Sequence, residues 1–210
     1  MNLPTFTQHD FQTFEIDGLE PRMEAIRERI QPKFKALGEP LADELSDLTG
    51  NDMFLHIAKH ARRKTNPPTD TWLAVAHDNR GYKKHPHFQV GLFDDHLFMW
   101  LAYIYELPNK KEIAERLLAQ QTHLEQLPND YAVSLDHTKK NAQTLVEMDS
   151  EDMEKSLVRF RDVKKGEFLI GRQIAHDDPL LGDGEKLFTT IMETFRTLQP
   201  FYEQTTQMHT

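Results

Sequence analysis

Six of the eleven histidines in this 210-residue chain fall between positions 56 and 96: His56, His60, His77, His85, His87 and His96. Among them stand Lys59, Arg62, Arg63, Lys64, Arg80, Lys83 and Lys84, against only Asp70 and Asp78. Histidine titrates near neutral pH and can exchange protons or ligate metals. Arginine's planar fork holds a phosphate or carboxylate through two parallel hydrogen bonds, and lysine adds a point charge. Residues 56–87 therefore carry +5 within a chain of formal charge −9, which leaves −14 on the remainder. Such segregation creates a local positive field suited to an anionic ligand. The plainer reading is that these cations are solvated or face the acidic helices. The expected anion site comprises His56, His60, Arg62, Arg63, Lys64, Arg80, Lys83, Lys84, His85 and His87.

Spacing limits what else these residues can do. His56 and His60 share a face in either a helix or a strand. His85 and His87 share a strand face with Gln89, while Phe88, Val90 and Leu92 point the other way. A metal centre needs three or more converging ligands, and Ile57 stands where an H-E-x-x-H helix would carry its glutamate. Structural histidines are therefore expected here, with no bound metal and no cofactor. Phosphate-cradling G-x-x-x-x-G-K-[ST] and G-x-G-x-x-G loops are absent, as is the G-x-S-x-G elbow of serine hydrolases. Ser134, Asp136 and His137 supply the residue types of a triad, but neighbours on one strand alternate faces and cannot form one alone. Asn66-Pro67-Pro68 reads as a stiff connector. Asp183, between Gly182 and Gly184, reads as the cap of a final helix.

Composition narrows the classes further. The absence of cysteine excludes a disulfide scaffold, thiolate metal sites and a cysteine nucleophile. Overall acidity argues against non-specific nucleic-acid or membrane-surface binding. The longest apolar run, residues 97–105, has nine residues, where a helix spanning a bilayer needs about 20. With no export signal at the start, the cytoplasm is the expected compartment. Thirteen phenylalanines supply a core, and a chain of this length buries about 70% of its unfolded surface as one domain, residues 1–210.

The elements that must position these groups follow from periodicity. Apolar residues from Leu19 to Leu48 recur at three- and four-residue steps, the mark of a helix. Pro32 and Gly38–Pro40 should divide it into two or three pieces. Residues 71–77, 87–93 and 97–105 read as strands, with a two-residue hairpin at Asp94-Asp95 and a type I turn at 78–81. Residues 54–60 read as a strand, with helix as the rival. Helices are expected over 108–121, from an Asp149 cap to about 163, and over 184–202, with strands at 131–135 and 166–174. Local turns imply antiparallel neighbours, hence an α+β domain with helices packed on a largely antiparallel sheet.

A family resemblance is carried by HIAKHARRKTNPPTDTW (56–72), RGYKKHPHFQVGLF (80–93), SLDHTKK (134–140) and FEIDGLEPRMEAIRERIQPK near the start. With these strings the chain resembles the YktB-like family of uncharacterised bacterial (Firmicute) proteins over nearly its whole length. That family's topology is similar to the biotin-ligase and class II synthetase catalytic domain, which implies helices against an antiparallel sheet. The resemblance brings no catalytic residues, and no synthetase motif maps onto this sequence.

Three functions remain open from sequence. The first is binding of a small phosphate- or carboxylate-bearing ligand at the basic region. The second is a docking module for an acidic protein or nucleic acid, the latter unsupported by the overall charge. The third is an enzyme using histidine acid/base chemistry on an anionic substrate. The anion site requires residues 56–64 and 80–87 to meet, although a seven-residue strand between them spans about 23 Å at 3.3 Å per residue.

Overall fold

The computed structural model describes residues 3–206. Seven strands form one sheet: β1 (Phe54–Ile57), β2 (Thr71–Ala76), β3 (His87–Leu92), β4 (His96–Tyr103), β5 (Ala132–Ser134), β6 (Gln143–Thr144) and β7 (Phe168–Ala175). Their order is β1-β2-β3-β4-β7-β5-β6, and every neighbouring pair is antiparallel. The expected α+β class is the one observed. The β3–β4 hairpin turns at Asp94-Asp95, closed by the Phe93 N–H on the His96 carbonyl at 3.0 Å.

The helices are α1 (Gln8–Phe11), α2 (Leu19–Ala25), α3 (Gln31–Thr49), α4 (Lys110–Ala119), α5 (Gln121–Glu125), α6 (Ser150–Asp162) and α7 (Gly184–Thr206). Strand alternation decides what they cover. Leu73, Val75, Phe88, Val90, Leu92, Met99, Leu101, Phe168 and Ile170 share one buried cluster with Phe34 and Leu37 of α3, Leu157 of α6 and Phe195 and Leu198 of α7. Phe88 is the meeting point, its ring 4.8 Å from Phe195 and 5.0 Å from Tyr202. Each such side chain contributes about 1.5–3 kcal/mol by leaving water. Asp149 and Asp183 cap α6 and α7 by accepting the Asp152 and Lys186 N–H groups at 2.8 and 3.1 Å.

The opposite face of the sheet carries His56, Trp72, Ala74, His87, Gln89, Gly91, Phe98, Trp100 and Gly171, as the cross-strand register requires. Phe93, Phe98, Trp100, Ala102 and Leu169 form a second, smaller cluster there. Two glycines make room for its rings. A Cβ on Gly91 would meet Phe98 and, at 2.7 Å, Trp72 Cβ; one on Gly171 would strike the Met99 carbonyl and come within 3.0 Å of Trp100.

Two local expectations need correction. Residues 19–49 form one continuous helical run, α2 and α3 joined by a π-helical turn at Ile26–Ile30. Pro32 follows closely on the π-helical turn, whose wider winding accommodates a residue without an N–H, and Pro40 lies inside the helix. Leu37, Leu41 and Leu45, each fully buried, hold the helix through the lost bond at Pro40. Gly38 is a packing position, since a Cβ there would collide with Leu55 of β1. Second, the turn at 78–81 is only the first part of a longer connection, residues 77–86, which turns again where the His85 N–H meets the Tyr82 carbonyl at 3.1 Å.

Gly171→Ala should lower unfolding free energy by about 2–3 kcal/mol, because backbone rather than a mobile side chain opposes the new methyl. Gly182→Ala, whose Cβ would meet nothing within 4 Å, should stay within about 0.5 kcal/mol of the parent. Urea denaturation of the two variants makes the comparison.

Candidate functional site

Strand β1 and the connection 77–86 border an open groove of about 630 Å³. Lys59, Arg80, Lys83 and Lys84 line it together with His56, Tyr82 and His85, against two acids, Asp78 and Glu106. Asp78 organises this wall. Its backbone carbonyl accepts His56 Nε2–H at 2.9 Å, Oδ1 accepts the Arg80 N–H at 2.8 Å, and Oδ2 accepts His85 Nε2–H at 3.2 Å. The Arg80 N–H, with His85, holds the Asp78 carboxyl below the usual carboxylate range. Among the groove's cations, only Lys83 makes an ion pair with described residues, to Glu106 at 3.4 Å.

Tyr82 closes the floor. Its ring lies 5.5 Å from His56 and 4.9 Å from His87, and its hydroxyl accepts the Trp72 indole N–H at 3.0 Å. His87, fully buried behind Tyr82, donates from Nδ1 to the His85 carbonyl at 2.8 Å, which leaves Nε2 to accept Gln89 Nε2–H at 2.8 Å. Both bonds suit a neutral ring. Burial pushes its pKa down to about 3.

On the far side of Trp72 lies a second group. His60 packs edge-on to the indole at 5.5 Å and hydrogen-bonds Thr71 Oγ1 at 3.0 Å, and burial, with Arg63 nearby, lowers its pKa to about 4. His137 packs edge-on at 6.1 Å, and its Nδ1 lies 2.8 Å from Glu167 Oε2, whose side chain is buried at the threshold of β7. Burial disfavours the imidazolium, but the Glu167 bond and charge outweigh it and raise the His137 pKa. Asp70 is buried too, and burial raises its pKa to about 6.

The ten residues expected to share one anion site divide. His56, Arg80, Lys83, Lys84 and His85 line the groove, joined by Lys59. His87 stands behind the floor. His60, Arg62, Arg63 and Lys64 do not line the groove; β1 ends at Ile57, and His60 turns the chain with a left-handed φ of 49°. His56, His60 and Arg62 therefore do not project from one strand face. Arg63 instead donates to the Asn66 and Pro67 carbonyls at 3.3 and 3.4 Å, within its own exposed loop. Buried Arg22 fastens that loop from outside, donating to Ile16 and Pro68 carbonyls at 2.8 and 2.9 Å. β1 is what restores part of the expected meeting: pairing antiparallel with β2, it carries His56 back toward residues 78–85.

Asp136 and His137 were visible as chemistry-bearing types, but Glu167 was not. It reaches His137 because β7 pairs with β5, a neighbourhood between segments about thirty residues apart that no local pattern announces.

The fold and groove define an α+β protein with a basic, histidine-lined cleft beside its edge strand β1. A family model described as "Domain of unknown function (DUF1054)" matches residues 6–202, and the chain belongs to that family. It is 60% identical over 204 residues to a UPF0637 protein of Shouchella clausii, covering 97% of this chain and 95% of that one. A UPF0637 protein of Oceanobacillus iheyensis is 57% identical over 198 residues, covering 94% and 95% of the two chains. One from Listeria welshimeri is 50% identical over 207 residues, covering 99% and 100%. The YktB-like resemblance thus falls in the same family of uncharacterised bacterial proteins. No helix among the described residues is long and apolar enough to cross a membrane.

His60 and His87 set an acid limit on stability. Their folded pKa values lie below the ordinary 6.5, so the stability is fully present above pH 6.5 and is lost as pH falls through the folded values. Asp70, raised instead, acts in the opposite sense between pH 6 and 3.8. The difference in unfolding free energy between the parent and His87→Gln should shrink by about 2 kcal/mol from pH 7 to pH 5. Urea titrations at the two pH values measure it, and a pH-independent difference would show that His87 is not buried as the neutral ring.

Proposed function

We propose that the groove between β1 and residues 77–86 binds a small anionic ligand bearing phosphate or carboxylate. The observation that carries this reading is the convergence of Lys59, Arg80, Lys83 and Lys84 on one cleft in which only Lys83 is ion-paired. A concave site with cations free of direct ion pairs concentrates an anion more than a flat surface does. Arg80 supplies a fork for two oxygens, and Lys59 and Lys84 supply charge. Tyr82 and His56 offer ring surface on which a planar ligand could lie. A docking surface for an acidic protein or nucleic acid is less well supported, because Arg62, Arg63 and Lys64 stand apart from the groove and the chain as a whole is acidic. This reading takes residues 1–210 as one cytoplasmic domain, of which 1–2 and 207–210 lie outside those described.

Thermal shift with inorganic phosphate, pyrophosphate, nucleotides and citrate tests it at low and high salt. At about one hundred times its dissociation constant a ligand adds about 2.7 kcal/mol, or roughly 5–10 °C in a chain of this size. Arg80→Ala/Lys84→Ala should abolish the shift and Arg62→Ala/Lys64→Ala should keep it. No shift with any anion, or an equal shift in both double variants, sinks the proposal.

A further inference from the structure

Beyond the groove, a second set of side chains has the composition of a metal centre. Asp136, His137 and Glu167 each place one ligand-capable atom within 4.8 Å of the others. Glu167 is held in position by the His137 backbone N–H, which donates to Oε2 at 2.8 Å, and it accepts the Tyr105 N–H on Oε1 at 3.4 Å. Asp136 is fixed by the Thr138 N–H and hydroxyl, both donating to Oδ1 at 2.9 and 2.6 Å. The three side chains are thus positioned already, and an ion would take the place of the proton that His137 Nδ1 now shares with Glu167 at 2.8 Å, releasing it to solvent. That preorganisation lowers the entropy a ligand must offset.

An independent observation comes from Asp70. It is 3% exposed, and its Oδ2 is the buried side-chain oxygen left without a hydrogen-bond partner among the described residues. The charges of two cluster members, His137 and Asp136, are felt at its carboxyl, together with that of Arg63. Asp70, Asp136 and Glu167 make no ion pair with any lysine or arginine among the described residues; their single cationic partner is the His137 ring, on Glu167. Arg63, Lys139 and Lys110 act on these carboxylates only through space, without ion pairs, and the orphaned Asp70 oxygen costs stability where it is buried. A dication offsets that cost.

We propose that Asp136, His137 and Glu167 bind one divalent first-row cation, with Asp70 supplying balancing charge beside it. Two carboxylates and one imidazole are harder than thiolate sites and softer than the all-oxygen sites of magnesium and calcium, so the set suits ions from Mn²⁺ to Zn²⁺. Two ligand atoms each about 2.1 Å from a common ion lie no more than about 4.2 Å apart, so small side-chain movements close the set. Asp136 also borders a cavity of about 520 Å³ that Lys139, Asn141 and Gln143 help to line. The remaining coordination positions can be filled from that side by water or by a ligand.

The test uses the full chain, stripped with EDTA and then given Zn²⁺, Mn²⁺ or Mg²⁺ separately. After desalting, elemental analysis should find about one Zn²⁺ per chain, and thermal unfolding should shift upward with Zn²⁺ and Mn²⁺ at concentrations where Mg²⁺ has no effect. Co²⁺ should give visible absorption in the folded protein. Asp136→Asn, at a half-exposed position that leaves the core intact, should weaken Zn²⁺ binding at least tenfold with an unchanged circular dichroism spectrum. Glu167→Gln should do the same, and if it fails to fold the Asp136 variant still decides. Less than a tenth of an equivalent retained, or equal retention in Asp136→Asn, overturns the proposal. The latter outcome would assign the ion to another part of the chain.

Discussion

Strands β3 and β4 are buried on both faces, so each of their side chains must find a partner on one side of the sheet or the other. On the helix side the partners are apolar. On the other side they cannot all be, because His87 and Gln89 alternate with Phe88 and Val90 along the same strand. The two polar groups satisfy one another and the His85 carbonyl, which fixes where residue 85 lies. From that point Asp78 and Tyr82 follow, and with them the groove wall. The candidate site is thus an outcome of how one central strand solves its own burial.

The glycines express the same constraint in another form. A sheet face that carries Trp72 on β2 and Phe98 and Trp100 on β4 has no room for further side chains beside them, and Gly91 of β3 and Gly171 of β7 occupy those places. The large rings then seal the sheet against water. That seal makes burial, more than any single charge, the main influence on His60, Asp70 and His87. His137 is the exception, because Glu167 gives its imidazolium a partner in the same dry region.

Charge segregation in the chain is real, but it resolves into two places with opposite character. One is cationic and concave, where Lys59, Arg80 and Lys84 meet. The other is anionic, where Asp136 and Glu167 adjoin His137 and the charge of buried Asp70 is felt at its ring. Trp72 lies between them, its indole N–H on Tyr82 and its ring edge near His137. A ligand on one side and an ion on the other would share a single aromatic partition.

Periodicity determined much of this protein without help from distant contacts. The three strands themselves, the Asp94-Asp95 hairpin and the caps at Asp149 and Asp183 rest on residues within a few positions of each other, where alternation and turn chemistry act directly. Pro40 shows the limit of such reasoning, since its local cost is real but α3 continues because Leu37, Leu41 and Leu45 are buried by the sheet. The sites required more. Which cations meet depends on β1 ending at Ile57 and pairing antiparallel with β2, and the partner of His137 depends on β7 lying beside β5. Those are long-range pairings, chosen by the burial of whole strand faces. Residue types and spacing along the chain carry the chemistry, but the pairing of distant strands decides which of those residues share a space.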